Sequence, residues 1–266
     1  MLLNDLMSLT GRTAVITGAT GYLGSMMAEV LASMGADLIL TDRAQSELES
    51  LAQRIKSQYF NEINVYELDL EDTKSIDTFI CDIKENHKYL NILINNAAFA
   101  GGESLSGWSV PFHEQSVSSW ARALNVNMTS VFHLCKELTP LLEIPGNGSI
   151  INISSIYGVY GPDWRLYEET TMSNPAAYAA SKGGLIQFSR WLATTISPNV
   201  RVNCVSPGGV FRNQPDIFVK KYIDKTPLKR MATEQDFAGV IAFLSSDMSA
   251  YVTGQNILVD GGWGIW

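Results

Sequence analysis

Tyr178 and Lys182 are the residues whose types and spacing most clearly could do chemistry. They stand four positions apart in the segment Tyr-Ala-Ala-Ser-Lys, and residues four apart share one face of a helix. A free tyrosine loses its proton at about pH 10, and a lysine cation beside it favours the phenolate. We therefore expect Lys182 to lower the pKa of Tyr178 and to fit it for proton exchange with an alcohol or ketone oxygen. Two ordinary residues on one helix face are the alternative interpretation.

The elements that would position this pair follow from the hydrophobic pattern. Short β-branched runs alternate with segments of helical length, which indicates a parallel sheet covered on both faces. The predicted fold class is α/β, a doubly wound parallel sheet (Rossmann) of about seven strands with helices on both faces. The predicted strands are 13–17, 37–41, 63–67, 92–95, 149–154, 201–205 and 256–259.

Length and composition predict one domain. A chain of 266 residues that is 46% hydrophobic can bury one α/β core but not two generous ones. Residues 1–266 are therefore predicted to form a single dinucleotide-binding and catalytic domain. Two loop-rich stretches, near 99–118 and 158–175, are candidate substrate walls, because ligands in such folds lie beyond the carboxyl ends of the strands.

Charge and cysteine content exclude several classes of function. A net charge of −8 and a pI near 4.9 disfavour nucleic-acid and membrane partners. Cys81, Cys135 and Cys204 have no metal-ligand spacing, so no metal site is predicted. No signal peptide or membrane span is recognised. We expect a cytoplasmic protein whose partners are a small-molecule substrate and other copies of itself.

A glycine-rich turn after the first strand predicts a dinucleotide site. Glycines in this context permit a tight turn and close approach of a pyrophosphate at a helix N-terminus. Asp42 ends the second strand, where a carboxylate binds ribose hydroxyls and repels a 2′-phosphate, so NAD is favoured over NADP despite Arg43 next to it. Asp69 and Leu70 could hold the adenine ring, although Asp69 could equally cap a helix. The candidate contacts in the turn are Gly18, Thr20, Gly21, Tyr22, Leu23 and Gly24.

Further motifs follow in a fixed order. An Asn-Ala-Ala segment at 96–98 follows the fourth strand, Asn127 lies in a helical stretch, and Ser155 follows the fifth strand. With the glycine turn and the Tyr178 motif, the sequence resembles the short-chain dehydrogenase/reductase family, in its single-domain branch. The resemblance extends from the glycine turn to residues 259–262.

The resemblance implies a catalytic tetrad. Tyr178 would be the acid/base and Ser155 would bind the reacting oxygen, with Ser154 as the second choice for that role. Lys182 would lower the pKa of the tyrosine and bind the nicotinamide ribose, and Asn127 would hold a water. The resemblance also implies further cofactor contacts at Asn96, Ala97, Ala98, Tyr178, Lys182, Pro207, Gly208 and Val210.

The sequence departs from the family pattern in three places. Tyr22 stands where the middle glycine of the turn is usual. Ser155 and Tyr178 are 23 positions apart, about ten more than the branch suggests, and Arg212 replaces a usual threonine. The added residues include 161–170, which we call the insertion. The insertion predicts substrate contacts from Trp164, Arg165 and Tyr167, with an ordered surface loop or subunit contact as the alternative. Arg212 could attract an anionic substrate, or be an ordinary exposed arginine.

The end of the chain and the insertion resemble a subgroup found with flagellin and surface-sugar modification, which implies a polar, sugar-like substrate. Trp263 and Trp266 are predicted to pack across a two-fold interface in a homodimer or homotetramer. The alternative is that they pack within their own subunit.

The leading interpretation is an NAD-dependent oxidoreductase that interconverts a secondary alcohol and a ketone. An NADP-dependent 3-oxoacyl-carrier-protein-type reductase would use the same tetrad, but Asp42 and the acidic pI disfavour it. A non-catalytic NAD-binding sensor or scaffold, and a methyltransferase, would not need the tetrad.

Overall fold

A seven-stranded parallel sheet forms the centre of the computed structural model, which describes residues 2–99 and 105–266. The strands lie in the spatial order β3-β2-β1-β4-β5-β6-β7. The order in which successive strands are added to the sheet therefore reverses between β1 and β4. The carboxyl ends of these two parallel strands form the crevice in which doubly wound sheets bind ligands. The strands are β1 (Thr13–Thr17), β2 (Asp37–Asp42), β3 (Ile63–Glu67), β4 (Ile92–Asn95), β5 (Gly148–Ile153), β6 (Val200–Pro207) and β7 (Asn256–Val259).

Helices cover both faces of this sheet, so the predicted fold class is confirmed. Short 3-10 turns and one π-helical turn, Asn125–Thr129, connect some of them. The α-helices in the described parts of the chain are α1 (Leu3–Met7), α2 (Tyr22–Ser33), α3 (Gln45–Lys56), α4 (Thr73–Asn86), α5 (Val117–Leu124), α6 (Ser130–Glu143), α7 (Ala176–Ile196), α8 (Asp216–Lys225) and α9 (Ala238–Ser245). None of the helices described is long and apolar enough to cross a membrane.

The two faces of the sheet have separate apolar cores. Ala14 and Ile16 of β1 pack with α2, α3 and α9, whereas Val15 packs with α4, α6 and α7. Alternate side chains of a strand point to opposite faces, so a strand with helices on both sides must be apolar at every position. This requirement explains the continuous apolar runs in the sequence.

A third, smaller core lies beyond the carboxyl ends of the strands. We call it the aromatic cluster, and its rings are Tyr157, Tyr160, Tyr167, Phe218, Tyr222 and Trp263. Consecutive rings lie 5.5–6.3 Å apart between centroids. The cluster joins three distant segments of the chain: the insertion after β5, helix α8 and the carboxyl-terminal residues.

The cluster corrects the prediction for Trp263. This side chain is 2% exposed and packs within its own chain, with the Lys225 Nζ atom 3.8 Å from the centroid of its ring. An interface role for Trp263 is therefore wrong, because the insertion and α8 supply the cover that one small domain seemed unable to give. Trp266 is 73% exposed and donates its indole N–H to the Lys225 carbonyl at 2.9 Å, so its interface role stays a prediction.

Candidate active site

The glycine turn has a backbone that only small residues allow. Gly18 has a φ of +65°, and a Cβ there would lie 2.8 Å from the Ala97 Cα. A Cβ on Gly24 would overlap the Gly18 carbonyl oxygen. The turn is thus folded tightly against both the segment after β4 and the first turn of α2, and this compactness leaves room for a ligand above it.

The first turn of α2 presents unpaired backbone donors to that space. Its N-cap is Gly21, which has no side chain to cap the helix. The first N–H groups of a helix have no partner within it and favour an anion. The predicted pyrophosphate position therefore has the donors that it requires.

Asp42 is fixed beside the turn by hydrogen bonds. One carboxylate oxygen accepts from the Thr20 N–H at 3.0 Å and from the Thr20 hydroxyl at 2.6 Å, and the other accepts from the Arg43 N–H at 2.8 Å. A carboxylate has about four acceptor positions, so Asp42 can still accept a hydrogen bond from a ribose hydroxyl. Thr20 contributes by orienting Asp42 and does not line the cleft itself.

A cleft of about 700 Å³ runs along these elements. It brings together most of the predicted cofactor residues from the glycine turn, the ends of β2 and β3, and the segment after β4. Its walls comprise Thr17, Gly18, Gly21, Tyr22, Leu23, Gly24, Thr41, Asp42, Arg43, Leu68, Asp69, Leu70, Glu71, Asn96, Ala97, Ala98, Phe99, Leu105, Arg122, Val126 and Arg212.

Several residues of this wall were missed in the sequence. Arg122 of α5 forms a bidentate ion pair with Glu71, at 2.8 and 3.1 Å, and its guanidinium lies 5.0 Å from the centroid of the Phe99 ring. The Arg122 guanidinium lowers the pKa of the Glu71 carboxyl. No local motif marks these residues, since they meet only through the packing of α5 against the segment after β3.

Tyr178 and Lys182 occupy the first two turns of α7, on the face toward β5. The Lys182 side chain is 2% exposed, its Nζ donates to the Ile153 carbonyl at 2.7 Å, and it lies 5.8 Å from the centroid of the Tyr178 ring. Ser155 lies two positions past the end of β5, and its hydroxyl is close enough to the Tyr178 phenol to act on its pKa. The structure therefore brings these three residues together at the carboxyl edge of the sheet.

The predicted effect of Lys182 on the pKa of the tyrosine stays a prediction. Burial raises the pKa of Tyr178, and the hydrogen bond from Ser155 opposes this increase only in part. Burial also lowers the pKa of Lys182 to about 8. Burial therefore disfavours the charged form of both side chains.

The two neighbouring serines have different surroundings. Ser154 donates its hydroxyl to the Lys182 carbonyl at 2.8 Å, so it fastens β5 to α7. Ser155 accepts the Tyr157 N–H at 3.2 Å, and its hydroxyl hydrogen remains available for Tyr178 or a ligand. This difference supports Ser155 over Ser154 in the catalytic role.

Asn127 lies in the π-helical turn between α5 and α6. Its carbonyl oxygen accepts the Phe99 N–H at 2.7 Å, and its amide donates to the Ser181 hydroxyl at 3.0 Å. Wide turns of this kind occur often at functional sites. Asn127 thus connects the cleft wall at Phe99 to the helix that carries Tyr178 and Lys182, and keeps one donor and one acceptor for a water.

The predicted nicotinamide segment follows β6. The Gly208 N–H donates to the Val259 carbonyl at 2.9 Å, and the Val210 carbonyl accepts the Gln214 amide at 2.8 Å. Gly208 and Pro207 lie outside the lining of the main cleft; Gly208 lines a neighbouring cavity of about 110 Å³. The backbone here is held by β7 and by Gln214, and nothing in this geometry opposes the predicted contact.

Three of the four candidate substrate residues lie in the insertion and have different surroundings. Tyr167 acts on the catalytic pair, because its phenol adds to the effect of burial in raising the pKa of Tyr178. The Trp164 ring lies tilted against the Tyr167 ring at 5.6 Å between centroids and is 55% exposed. The Arg165 side chain is 80% exposed and forms a bidentate ion pair with Asp163, an arrangement that gives no support to a substrate contact.

Arg212, the fourth candidate substrate residue, lines the cofactor cleft. Its guanidinium is 4.1 Å from the centroid of the Tyr22 ring and 2.7 Å from the Glu234 carboxylate. Tyr22, the residue that replaces the usual glycine, thus supports this arginine. Because its charge is paired with Glu234, the predicted attraction of an anionic substrate is not supported.

Comparison with known proteins agrees with this geometry. A family model described as enoyl-(acyl carrier protein) reductase matches residues 18–264. The post-translational flagellin modification protein A of Campylobacter coli is 29% identical, with 97% of this chain and 100% of that protein covered. A 3-oxoacyl-(acyl-carrier-protein) reductase of Thermotoga maritima is 31% identical over 96% of this chain and 99% of its own.

A solved structure gives the same result. The NAD+-bound short-chain dehydrogenase of Leptospira borgpetersenii is 34% identical and superposes with a TM-score of 0.84, over 99% of this chain and 96% of that one. A glycine turn, an ordered Tyr-Lys pair and matches along nearly the full length lead to one conclusion. The chain belongs to the short-chain dehydrogenase/reductase family of oxidoreductases.

Proposed function

We propose that the protein is an NAD-dependent oxidoreductase that interconverts a secondary alcohol and a ketone on a small polar, sugar-like substrate. The observation that carries the proposal is the group formed by Tyr178, Ser155 and Lys182 at the carboxyl edge of the sheet. Leu105 and Phe99 line the cleft and also pack in one cluster with Tyr178. The proton-transfer group therefore adjoins the dinucleotide cleft.

The described residues fit a dinucleotide. The glycine turn and the first turn of α2 would hold the pyrophosphate, and Asp42 would accept from the adenosine ribose. When bound, NAD supplies the hydride acceptor or donor. Lys182 would reach the nicotinamide ribose, after which its charge would oppose the burial that now raises the pKa of Tyr178.

The residues of the chain would manage the proton. In the direction of oxidation, Tyr178 would take the proton from the substrate hydroxyl, and Ser155 would donate a hydrogen bond to the same oxygen as charge develops on it. In the direction of reduction, the Tyr178 phenol would give the proton back to the carbonyl oxygen. Asn127 would support proton exchange with solvent through a water.

The proposal is tested with nicotinamide absorbance. Sugar, acyl and steroid alcohols are offered with NAD and with NADP, and the Tyr178→Phe variant is the control. We expect turnover of a sugar-like alcohol with NAD, and a loss of at least about 100-fold in Tyr178→Phe with NADH binding retained. Full activity of Tyr178→Phe would contradict the mechanism.

One alternative has its own support. The matched family model and the Thermotoga relative both carry the name of an acyl-carrier-protein reductase, which favours an NADP-dependent reductase of 3-oxoacyl thioesters. Oxidation of NADPH by acetoacetyl thioester, faster than any reaction with sugar alcohols, would support it. The acidic surface disfavours docking of an acidic carrier protein.

A further inference from the structure

Three polar side chains lie together at the boundary between the aromatic cluster and the catalytic pair. The phenols of Tyr157 and Tyr167 are hydrogen bonded to each other at 2.5 Å. Burial raises the pKa of both phenols, and the side-chain amide of Asn174, a residue that is 5% exposed, opposes this increase at each of them. We call these three residues the phenol-amide group. The insertion and the segment just before α7 contribute two of its members.

This group is next to the reacting centre along the chain, because Tyr157 is two residues after Ser155 and Asn174 is four residues before Tyr178. The N–H of Tyr157 donates to the Ser155 hydroxyl at 3.2 Å, and the Tyr167 phenol acts electrostatically on Tyr178. A substrate whose alcohol oxygen lies between Ser155 and Tyr178 would therefore place its neighbouring carbon atoms next to the phenol-amide group.

The hydrogen bonds of the group are incomplete. The carbonyl oxygen of Asn174 is buried and has no hydrogen-bond partner. Two amide N–H donors can serve the two phenol oxygens, and one phenol O–H serves the bond between the tyrosines. One phenol O–H and the Asn174 carbonyl oxygen are left over.

One donor beside one acceptor is the complement of an alcohol hydroxyl, which can accept and donate at once. A buried acceptor left without a donor costs about 1–3 kcal/mol. Sites built to bind a hydroxyl consequently discriminate strongly against analogues that lack it.

We infer that the phenol-amide group is a subsite for a second substrate hydroxyl, on the carbon next to the one that is oxidised, and that Asn174 determines this specificity. The inference rests on the proposed function and narrows its substrate class to vicinal diols and polyols. An alcohol without the second hydroxyl would leave the buried Asn174 carbonyl oxygen with no donor.

The test compares butane-2,3-diol with 2-butanol, two secondary alcohols that differ by the vicinal hydroxyl. The measured quantity is the ratio of kcat/KM for the diol to that for 2-butanol, with NAD as oxidant. We expect the wild-type ratio to exceed about 10 and to fall to parity in Asn174→Leu. Tyr167→Phe removes one hydroxyl of the group conservatively and should reduce the ratio in the same direction.

Asn61→Leu is the matched control. Asn61 also has an unpartnered buried carbonyl oxygen, but it donates to the Ala32 and Ala36 carbonyls at the end of α2, away from the catalytic pair. Its ratio should equal that of the wild type. An unchanged ratio in both Asn174→Leu and Tyr167→Phe, or no preference in the wild type, would overturn the inference.

A binding measurement separates this inference from the proposed function. Calorimetric titration of the protein with butane-2,3-diol in the presence of NADH needs no turnover. If no alcohol is oxidised, the proposed function fails, but weaker diol binding in Asn174→Leu by at least about tenfold would still support the subsite. Equal diol binding by the wild type and Asn174→Leu, or no diol binding by the wild type, would reject it.

Discussion

The cofactor half and the substrate half of the molecule are built in different ways. The cofactor half depends on backbone: glycine at fixed positions, the free N–H groups of α2 and the strand end at Asp42. The substrate half depends on side chains that meet from the insertion, α8 and the carboxyl terminus. Backbone requirements produce short sequence motifs, whereas contacts between side chains from distant segments produce no local motif. The first half can therefore be read from motifs and the second cannot.

A glycine substitution in the cofactor half should have the largest effect. A Cβ on Gly24 would overlap the backbone oxygen of Gly18, and backbone cannot move aside without shifting α2. We expect Gly24→Ala to lose about 3 kcal/mol or more of unfolding free energy and to abolish NADH binding. Urea unfolding and NADH fluorescence titration measure the two quantities.

Gly239→Ala in α9 is the matched control, because a Cβ there meets nothing within 4 Å. This exposed helical position should gain about 0.5–1 kcal/mol. Normal NADH binding by Gly24→Ala would show that the turn is less constrained than the structure indicates.

Lys182→Met should separate stability from activity. Burial depresses the pKa of Lys182 in the folded state to about 8, from 10.5, so the folded state binds this proton less tightly than the unfolded state. Burying the charged lysine lowers the unfolding free energy. This loss is complete below about pH 8 and disappears as the pH rises toward 10.5. We expect the variant to be inactive yet more stable at pH 7, by on the order of 1–3 kcal/mol.

The stability gain in Lys182→Met should shrink between about pH 8 and 10.5, as measured by urea unfolding across that range. Lys88→Met, at an exposed position, is the control and should change little at any pH. A gain that does not vary with pH would mean that packing, and not the buried charge, is responsible.

Asp42→Ser tests how the end of β2 sets cofactor preference. Removing the carboxylate removes both an acceptor for the ribose and the repulsion of a 2′-phosphate. We expect kcat/KM with NAD to fall about tenfold and kcat/KM with NADP to rise. Asp37→Ser, at the other end of the same strand, removes a bond to the Glu62 N–H and should leave the ratio between the cofactors unchanged.

The smallest effect is expected from a glycine of the substrate half. A Cβ on Gly264 would overlap the end of the Tyr160 ring, a side chain that can move. We expect Gly264→Ala to lose less than about 1 kcal/mol of unfolding free energy and to change KM for the alcohol a few-fold, with NADH binding unaltered. Gly161→Ala, which meets nothing within 4 Å, is the control. A stability loss as large as that of Gly24→Ala would remove the distinction between the halves.

The parts that the sequence predicted correctly are those with short-range physical causes. Continuous apolar runs predicted the strands, since β1 must be apolar on both faces. The tight glycine turn and the position of Asp42 at the end of β2 follow from spacing along one strand and one helix.

The sequence analysis falls short where burial or a contact between distant residues determines the environment of a side chain. Trp263 seemed too large to cover until α8 and the insertion packed over it. Burial raises the pKa of Tyr178 and lowers that of Lys182, and the spacing of the two residues on a helix does not reveal this burial. The Arg122 and Glu71 pair has no pattern in the sequence, because its partners are 51 residues apart.

The contact between Lys225 and Trp263 has a practical consequence for handling the protein. Lys225 forms an ion pair with Asp163 of the insertion at 3.1 Å and lies over the Trp263 ring. The insertion is therefore linked through Lys225 to a residue only three positions before Trp266. An affinity tag or fusion partner appended at Trp266 would disturb the packing of the insertion against Lys225 and Trp263. The opposite end is the better attachment point, because α1 packs near the 3-10 turn Asp247–Ser249, and neither element contributes to the aromatic cluster among the residues described.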